Sequence, residues 1–201
     1  MVMRVRRCPY PYLRLGTTPR WLRFSCVRFS VEQSIDAPRD AVEAAFLEPA
    51  FYAALGDMSA IRPPEVVERR VEGPGDNLVH LRVQYAFSGN LSGPARAVLD
   101  PARLTWVDHS TFDRAAHRMD FEIVPDHYAD RLQCQGSYRF EPAGDRATRQ
   151  LMGGDLRVRY PVVGGLVERA IVVGMRQHLG EEARILERWL RDSGAVEIDT
   201  G

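Results

Sequence analysis

Imidazole and carboxylate groups lie close together in one short stretch of the chain. Asp108 and His109 are adjacent, and Asp113 stands four residues before His117. If a β-hairpin brought a histidine and a carboxylate into contact, the pair could act as a general acid and base. The sequence shows no recognisable nucleophile for such a pair, so we assign no catalytic residue from the sequence alone.

His117 is also a candidate for ligand contact. It shares the alternation of Met119 and Phe121, which predicts that all three side chains lie on the inner face of one strand. A single polar group in an apolar pocket can orient a ligand. A histidine that is simply satisfied within the core is the alternative interpretation.

The remaining histidines have structural explanations. His127 follows Asp126 in a predicted turn, where an aspartate commonly stabilises the turn itself. His80 and His178 fall on the polar faces of a predicted strand and a predicted helix, so we expect both to be solvated.

Cysteine usage indicates neither a metal site nor a disulfide framework. Cys8, Cys26 and Cys134 are scattered, odd in number and show no CxxC or Cys/His pattern. Reduced thiols and a cytoplasmic location are the expectation. No cluster of His, Cys, Asp and Glu has metal-ligand spacing, and we predict no metal and no cofactor.

Alternating apolar and polar residues predict the strands that carry these side chains. The clearest strand places Val79 and Leu81 on one face and His80 and Arg82 on the other. The predicted elements are, in order, a strand at 27–35, short helices at 40–47 and 49–55, and strands at 64–71, 78–87, 104–112, 117–124, 131–140 and 146–160.

A long amphipathic helix, residues 161–191, ends this series. Pro161 suits the first helical turn, because its φ is already helical and its missing N–H would have no partner there. Apolar residues then recur three or four apart, while charged residues cover the other side. Internal glycines in the first half, such as Gly174, indicate close packing or unfilled space beside the helix.

Length and charge limit the classes of function. A chain of 201 residues with 45% hydrophobic residues suffices for one domain. Seven of its 27 arginines lie in residues 1–31, which hold no acid, so residues 32–201 hold 20 arginines against 27 acids, a net charge of −7. An acidic body argues against nucleic-acid binding and against adhesion to anionic membranes. No apolar run reaches the roughly 18 residues of a membrane span.

The sequence predicts one domain between two tails. We expect residues 1–23 to be a disordered basic tail, residues 24–192 to form the domain, and residues 193–201 to be a second tail. The first segment has no sustained apolar period and is interrupted by proline and glycine. A valine codon can start translation in GC-rich genomes, so a natural start at Val27 is a further expectation.

The order of elements itself predicts a cavity. An antiparallel sheet of six or seven strands with one apolar face curls strongly, and a helix laid across the concave face covers it. A single helix rarely fills the whole curve, which leaves a space lined by sheet and helix side chains.

Three segments carry a resemblance to a known superfamily: FSVEQSIDAPRDAVEAAF (29–46), DPARLTWVDHSTFDRAAHRMDFEIVPDHYADRL (100–132) and LRVRYPVVGGLVERAIVVGMRQHL (156–179). They resemble the START-like, Bet-v-like helix-grip superfamily, also called SRPBCC, and more closely an actinobacterial family of unknown function. The resemblance covers residues 27–191. It implies an α+β helix-grip fold, with a curved antiparallel sheet of six to seven strands wrapped around one long C-terminal helix and two short helices after the first strand.

The resemblance also implies a ligand, namely a lipid, sterol, polyketide or other small apolar molecule held in the cavity. By position, the ligand-binding candidates are Phe87, Trp106, His117, Met119, Phe121, Tyr138, Val167, Ile171, Gly174 and Met175. Ordinary core packing is the alternative for each of them.

Two classes of function remain open. The first is a non-enzymatic binder or carrier of an apolar ligand, and the second is a cyclase or dehydratase that uses a pocket histidine; a protein-interaction module is a weaker third. Few ionisable groups in the cavity wall would favour the first class. A pocket histidine within hydrogen-bond reach of an aspartate or tyrosine would favour the second. Ligand identity and oligomeric state are left open.

Overall fold

The computed structural model describes residues 1–7, 25–91, 96, 99–159 and 164–194 of the chain. Its strands are β1 (Val2–Arg7), β2 (Ser25–Ile35), β3 (Glu65–Glu72), β4 (Leu78–Ala86), β5 (Thr105–Asp113), β6 (Arg118–Pro125), β7 (Leu132–Pro142) and β8 (Thr148–Val158). Its α-helices with described bounds are α1 (Arg39–Ala45), α2 (Pro49–Ala54) and α3 (Gly164–Asp192). Pro49 occupies the first turn of α2, where its fixed φ is favourable.

All eight strands form one antiparallel sheet in the order β1-β2-β8-β7-β6-β5-β4-β3. Strands β3 to β8 pair with their neighbours in sequence, whereas β2 pairs with β8 and so joins the start of the domain to its end. The long helix α3 covers one face, and the predicted α+β helix-grip fold is confirmed. The sheet has eight strands, where six to seven were predicted.

Strand β1 accounts for the additional strand and corrects one prediction. Residues 2–7 are not a disordered tail, because they pair antiparallel with β2 over their whole length, Val2 opposite Glu32. Met3 packs against the core, while arginines make up half of the six residues of the strand, at positions 4, 6 and 7. Those arginines obscured the apolar period in the sequence. The rest of the predicted N-terminal tail, and the end of the C-terminal one, lie outside the described residues.

Strand register aligns side chains from different strands into rows across the concave face. One such row consists, from β2 to β4, of Val27, Leu156, Cys134, Ile123, Asp108 and Val83. The row places a single carboxylate among apolar side chains on the face that the helix covers.

Glycine is required at two paired positions on this face, Gly136 of β7 and Gly154 of β8. A Cβ at Gly136 would lie 2.8 Å from the ring of Phe121, and a Cβ at Gly154 would lie 2.8 Å from the ring of Phe29. Backbone carbonyl oxygens of the facing strand, those of Gly153 and Gln135, lie closer still to these two Cβ positions, so neither position has room for a side chain.

The second half of α3 seals the core. It packs on β2 and β8 and beside α1 and α2. Leu186 and Leu190 are at most 1% exposed, and Glu187 accepts a 2.9 Å hydrogen bond from the backbone N–H of Asp36. Within the described part of the chain, no helix is long and apolar enough to cross a membrane.

The expectation that all cysteines are reduced thiols was wrong. Cys26 is disulfide-bonded. Cys134 is a buried free thiol on the concave face, and burial raises its pKa to about 12, so it stays protonated and unreactive.

Candidate functional site

The concave face is tightly sealed at one end and less tightly packed at the other. At the sealed end, Ile35 and Phe140 are at most 2% exposed. At the other end, half-buried apolar side chains come from both the sheet and the first half of α3: Trp106, Ile123, Leu132, Ile171 and Met175. We call these five residues the open end. The partial exposure of these side chains shows that solvent reaches the space beside them at this end of the concave face.

Asp108 faces this space from β5. It lies between Val83 and Ile123 in the register of the sheet and accepts a 2.5 Å hydrogen bond from the hydroxyl of Ser110. Burial raises the pKa of its carboxyl group to about 6, helped by the charge of Glu182 and opposed by the Ser110 hydrogen bond. Asp108 is therefore a carboxyl that can hold or release a proton near neutral pH.

A second carboxylate enters the interior from the helix. Glu182 is only 5% exposed, and its Oε1 has no hydrogen-bond partner within the described residues. Its Oε2 lies 3.6 Å from Nε2 of His178, one helical turn earlier. The ring of His178 meets the ring of Tyr85 edge-on, with centroids 6.2 Å apart.

Three tyrosines surround the carboxylates. Burial raises the pKa of Tyr52, Tyr85 and Tyr138 well above the ordinary phenol value, and the charges of Asp108 and Glu182 act in the same direction. The phenols are therefore neutral. Tyr52 donates to the carbonyl oxygen of Phe46 at 2.9 Å, but the hydroxyls of the other two form no hydrogen bond to the chain among the residues described.

Tyr85 also forms part of an aromatic wall. Its ring stacks on that of Trp106, with an interplanar angle of 3° and centroids 5.5 Å apart. The two residues are cross-strand partners on β4 and β5, so the pair is fixed by the sheet. The wall stands next to His178 at the open end.

We call Tyr85, Asp108, Tyr138, His178 and Glu182 the interior polar cluster. It combines two carboxylates, one imidazole and two unbonded phenols. Such a set can bind a ligand through hydrogen bonds or transfer protons to it. Of the described residues, no group of three His, Cys, Asp or Glu side chains is placed to hold a metal ion.

Most apolar site candidates lie where the sequence placed them. Trp106, Met119, Phe121 and Tyr138 are on the concave face, and Val167, Ile171 and Met175 are buried or half-buried on α3. Phe87 lies just beyond β4 in an isolated bridge with Ile61. Ligand contact by these residues stays a prediction.

Two candidates are misplaced. Gly174 is exposed, and a side chain there would meet nothing within 4 Å, so it does not line the space under the helix. His117 lies in the turn before β6, with a φ of 49°. Its Nδ1 is 2.9 Å from Oε1 of Glu43, and 37% of its side chain is exposed. That contact ties the turn to α1 and does not reach the interior polar cluster.

The proposed histidine and carboxylate pair of residues 108–117 does not form. Neighbouring residues in a strand face opposite sides, so Asp108 points inward while His109 lines the outer face. Asp113 accepts hydrogen bonds from the backbone N–H groups of Ala115 and Ala116 at 2.9 and 3.0 Å, and so stabilises the turn.

Sequence reasoning missed His178 and Glu182, and the prediction that His178 is solvated was wrong. A signal was present, because Glu182 stands three residues after Leu179 and four before Leu186. A charged residue in the middle of a buried apolar stripe is unusual and requires an explanation.

A groove of about 910 Å³ also occurs on the outer face of the sheet. Arginines and acids line it together, and several neutralise one another: Arg28 with Asp155 at 3.0 Å and Arg118 with Asp120 at 2.6 Å. Because these ions are exposed and mutually paired, the groove resembles an ordinary charged surface more than a ligand site.

Similar solved structures show the fold. A protein from Thermus thermophilus shares 19% identity, with a TM-score of 0.57 over 82% of this chain and 97% of that one. The Zhui aromatase/cyclase from Streptomyces sp. R1128 shares 14%, with a TM-score of 0.56 over 85% and 99%. A START superfamily protein from Mycobacterium smegmatis shares 14%, with a TM-score of 0.50 over 82% and 97%. The fold is thus SRPBCC/START-like, as the sequence predicted.

The chain belongs to the family described as protein of unknown function (DUF2505), which matches residues 30–190. No curated protein matches the chain.

Proposed function

We propose that this protein binds a small, largely apolar molecule between the concave face and the first half of α3. The observation that carries the proposal is the incomplete burial of the open end. Apolar side chains that are partly exposed lack packing contacts on one side, and an apolar ligand would supply them. The fold points the same way, since a START superfamily protein and an aromatase/cyclase share it.

Enzymatic action of the cyclase or dehydratase type is the second candidate, and one observation favours it. His178 and Asp108 lie in the same interior, and the carboxyl pKa of Asp108, about 6, suits proton transfer near neutral pH. Binding is preferred because the partly exposed apolar side chains of the open end support it without any reaction. Turnover of a bound polyketide-like substrate, abolished by His178→Gln, would establish the enzyme.

Uptake of N-phenyl-1-naphthylamine (NPN), an uncharged probe that fluoresces in apolar surroundings, tests the binding proposal. Two neighbouring residues of β6 provide a matched comparison, because Ile123 faces the interior and Glu122 the outer surface. We expect wild type and Glu122→Trp to bind NPN and Ile123→Trp to lose most of the signal.

The helix offers a second matched pair, in case the first variant unfolds. Met175→Trp should block uptake, whereas Arg176→Trp, on the exposed side of α3, should not. Thermal melting shows which variants are folded. Equal NPN binding by the inward and outward variants would exclude the interior as the site.

We also propose that the protein is located in the cytoplasm. The disulfide of Cys26 is the observation against it, because disulfides form and persist mainly in oxidising compartments. Fractionation of the native host, with thiol labelling of the recovered protein, decides the question.

A further inference from the structure

We propose that the interior polar cluster recognises a protonated amine carried on the apolar body of the ligand. This inference rests on the proposed binding function and names the chemical class of the ligand. It is supported by a buried hydrogen-bond acceptor without a partner among the described residues, by carboxyl groups without an arginine partner there, by the stacked rings of Tyr85 and Trp106, and by the poorer fit of other ligand classes.

The interior polar cluster contains hydrogen-bond acceptors that the described chain does not use. Oε1 of Glu182 is a buried acceptor without a partner among the described residues, whereas the half-buried Asp108 accepts a hydrogen bond from Ser110. Buried polar atoms are almost always satisfied, so a partner from outside the chain is expected here. An ionised carboxylate only accepts hydrogen bonds, and that partner must donate them.

Charge favours a cation among the possible donors. The charged groups that act on the Asp108 carboxyl are Glu182 and His178, with no arginine among them in the described part of the chain. The described interior thus holds two carboxyl groups and one imidazole, and neither carboxyl group forms an ion pair with an arginine there. An enclosed excess charge is unfavourable unless an opposite charge joins it.

The aromatic wall adds a third contribution. Tyr85 and Trp106 stack at the open end, and the faces of such rings attract ammonium groups. Next to them lie the half-buried apolar residues of the open end, which would hold the body of the ligand. The site would therefore bind the ammonium and apolar parts of one molecule on adjacent surfaces.

Other ligand classes fit less well. A fatty acid would bring a third carboxylate into an interior that already holds two. A metal ion would need three suitable side chains, and none of the described residues form such a group. A neutral alcohol could donate one hydrogen bond but would leave the charge uncompensated.

Displacement of NPN by three ligands of equal chain length tests the inference. These are octylamine, 1-octanol and octanoic acid, at neutral pH. For wild type we expect octylamine to displace NPN at a concentration about tenfold or more below 1-octanol, the advantage typical of a hydrogen bond to a charged group. Octanoic acid should be the weakest of the three.

Glu182→Gln should abolish the preference for the amine and leave 1-octanol binding unchanged. Glu181→Gln is the matched control, since Glu181 is adjacent but bonds to Ser59 and Gln177 instead of facing the cluster. It should keep the preference. Asp108→Asn provides a second variant if Glu182→Gln fails to fold.

Each outcome decides something different. If wild type does not bind NPN, the proposed binding function fails. If NPN binds but octylamine and 1-octanol displace it equally, binding stands and the amine inference is overturned. Preference for octanoic acid, or an amine preference that survives in both Glu182→Gln and Asp108→Asn, overturns it as well.

Discussion

This protein contains two histidine and glutamate pairs that differ in their surroundings. Nδ1 of His117 lies 2.9 and 3.1 Å from the two oxygens of Glu43, and Arg39 approaches the same carboxylate at 3.8 Å. Nε2 of His178 lies 3.6 Å from one oxygen of Glu182, whose other oxygen has no partner among the described residues. The chain itself completes the first pair and leaves the second incomplete.

The contrast separates structural from functional polar groups. A buried carboxylate whose partners all come from the chain is compensated within the fold. One that is left incomplete reduces stability, and sites of this kind are typically retained for what they bind. The first pair should therefore respond to mutation in stability alone, and the second in ligand affinity.

The pH dependence of stability is the largest expected effect and concerns Asp108. Its pKa is about 6 in the folded protein against 3.8 as the ordinary value. Because the folded value is the higher one, protonation stabilises the fold at low pH, and this stabilisation is lost as pH rises from about 4 to above 6. Asp108→Asn does not titrate, so its free energy of unfolding should gain about 2 to 3 kcal/mol relative to wild type across that range.

Urea denaturation of both proteins at a series of pH values measures this difference. A difference that stays constant with pH would show that Asp108 titrates normally and is not enclosed.

Removal of the complete pair should have the next largest effect. His117→Ala leaves Glu43 buried with only the longer contact to Arg39, at 3.8 Å, which should reduce the free energy of unfolding by about 2 kcal/mol. NPN affinity should not change, because the pair lies outside the interior polar cluster. Weaker NPN binding by a folded His117→Ala variant would show that His117 contributes to the ligand site.

Neutralising Glu182 of the incomplete pair should raise the free energy of unfolding, whereas His117→Ala should lower it. Glu182→Gln removes a buried charge that lacks one of its partners, and we expect it to stabilise the free protein by about 1 kcal/mol. The matched variant Glu43→Gln should destabilise instead. Thermal melting of the ligand-free variants compares their stabilities. If both Glu182→Gln and Glu43→Gln are destabilised, the two pairs do not differ as proposed.

Gly174→Ala should have the smallest effect. The position is exposed within α3, and replacing glycine by alanine in a helix interior contributes about 0.5 to 1 kcal/mol. Stability should rise slightly while NPN binding stays the same. A loss of NPN binding would show that the helix approaches the ligand on this side after all.

Much of the fold was predictable because strands and helices leave a periodic record in the sequence. The predicted strand at 78–87 became β4, Leu78–Ala86, and the predicted helix at 161–191 became α3, Gly164–Asp192. Strand β1 escaped prediction because arginines make up half of its six residues and leave no regular apolar period. Its pairing with β2 is a tertiary contact that no local pattern records.

The candidate site was only partly predictable. The alternation of Trp106, Asp108 and Phe112 could have placed Asp108 on the inner face, since every second residue of a strand shares a side. The contact of His178 with Tyr85 could not be predicted, although the sequence had placed Trp106, Ile171 and Met175 of the open end in the cavity wall. That contact depends on how α3 crosses the sheet, which side-chain packing sets and spacing does not encode.

The central claim is that an apolar molecule occupies the space between the concave face and α3. Solution NMR tests it most directly, through intermolecular nuclear Overhauser effects between the aromatic protons of NPN and assigned methyl groups. We expect contacts to the methyl groups of Ile123, Leu132 and Met175, and none to that of Thr111 in the outer groove. Contacts to Thr111 without contacts to the open end would contradict the account.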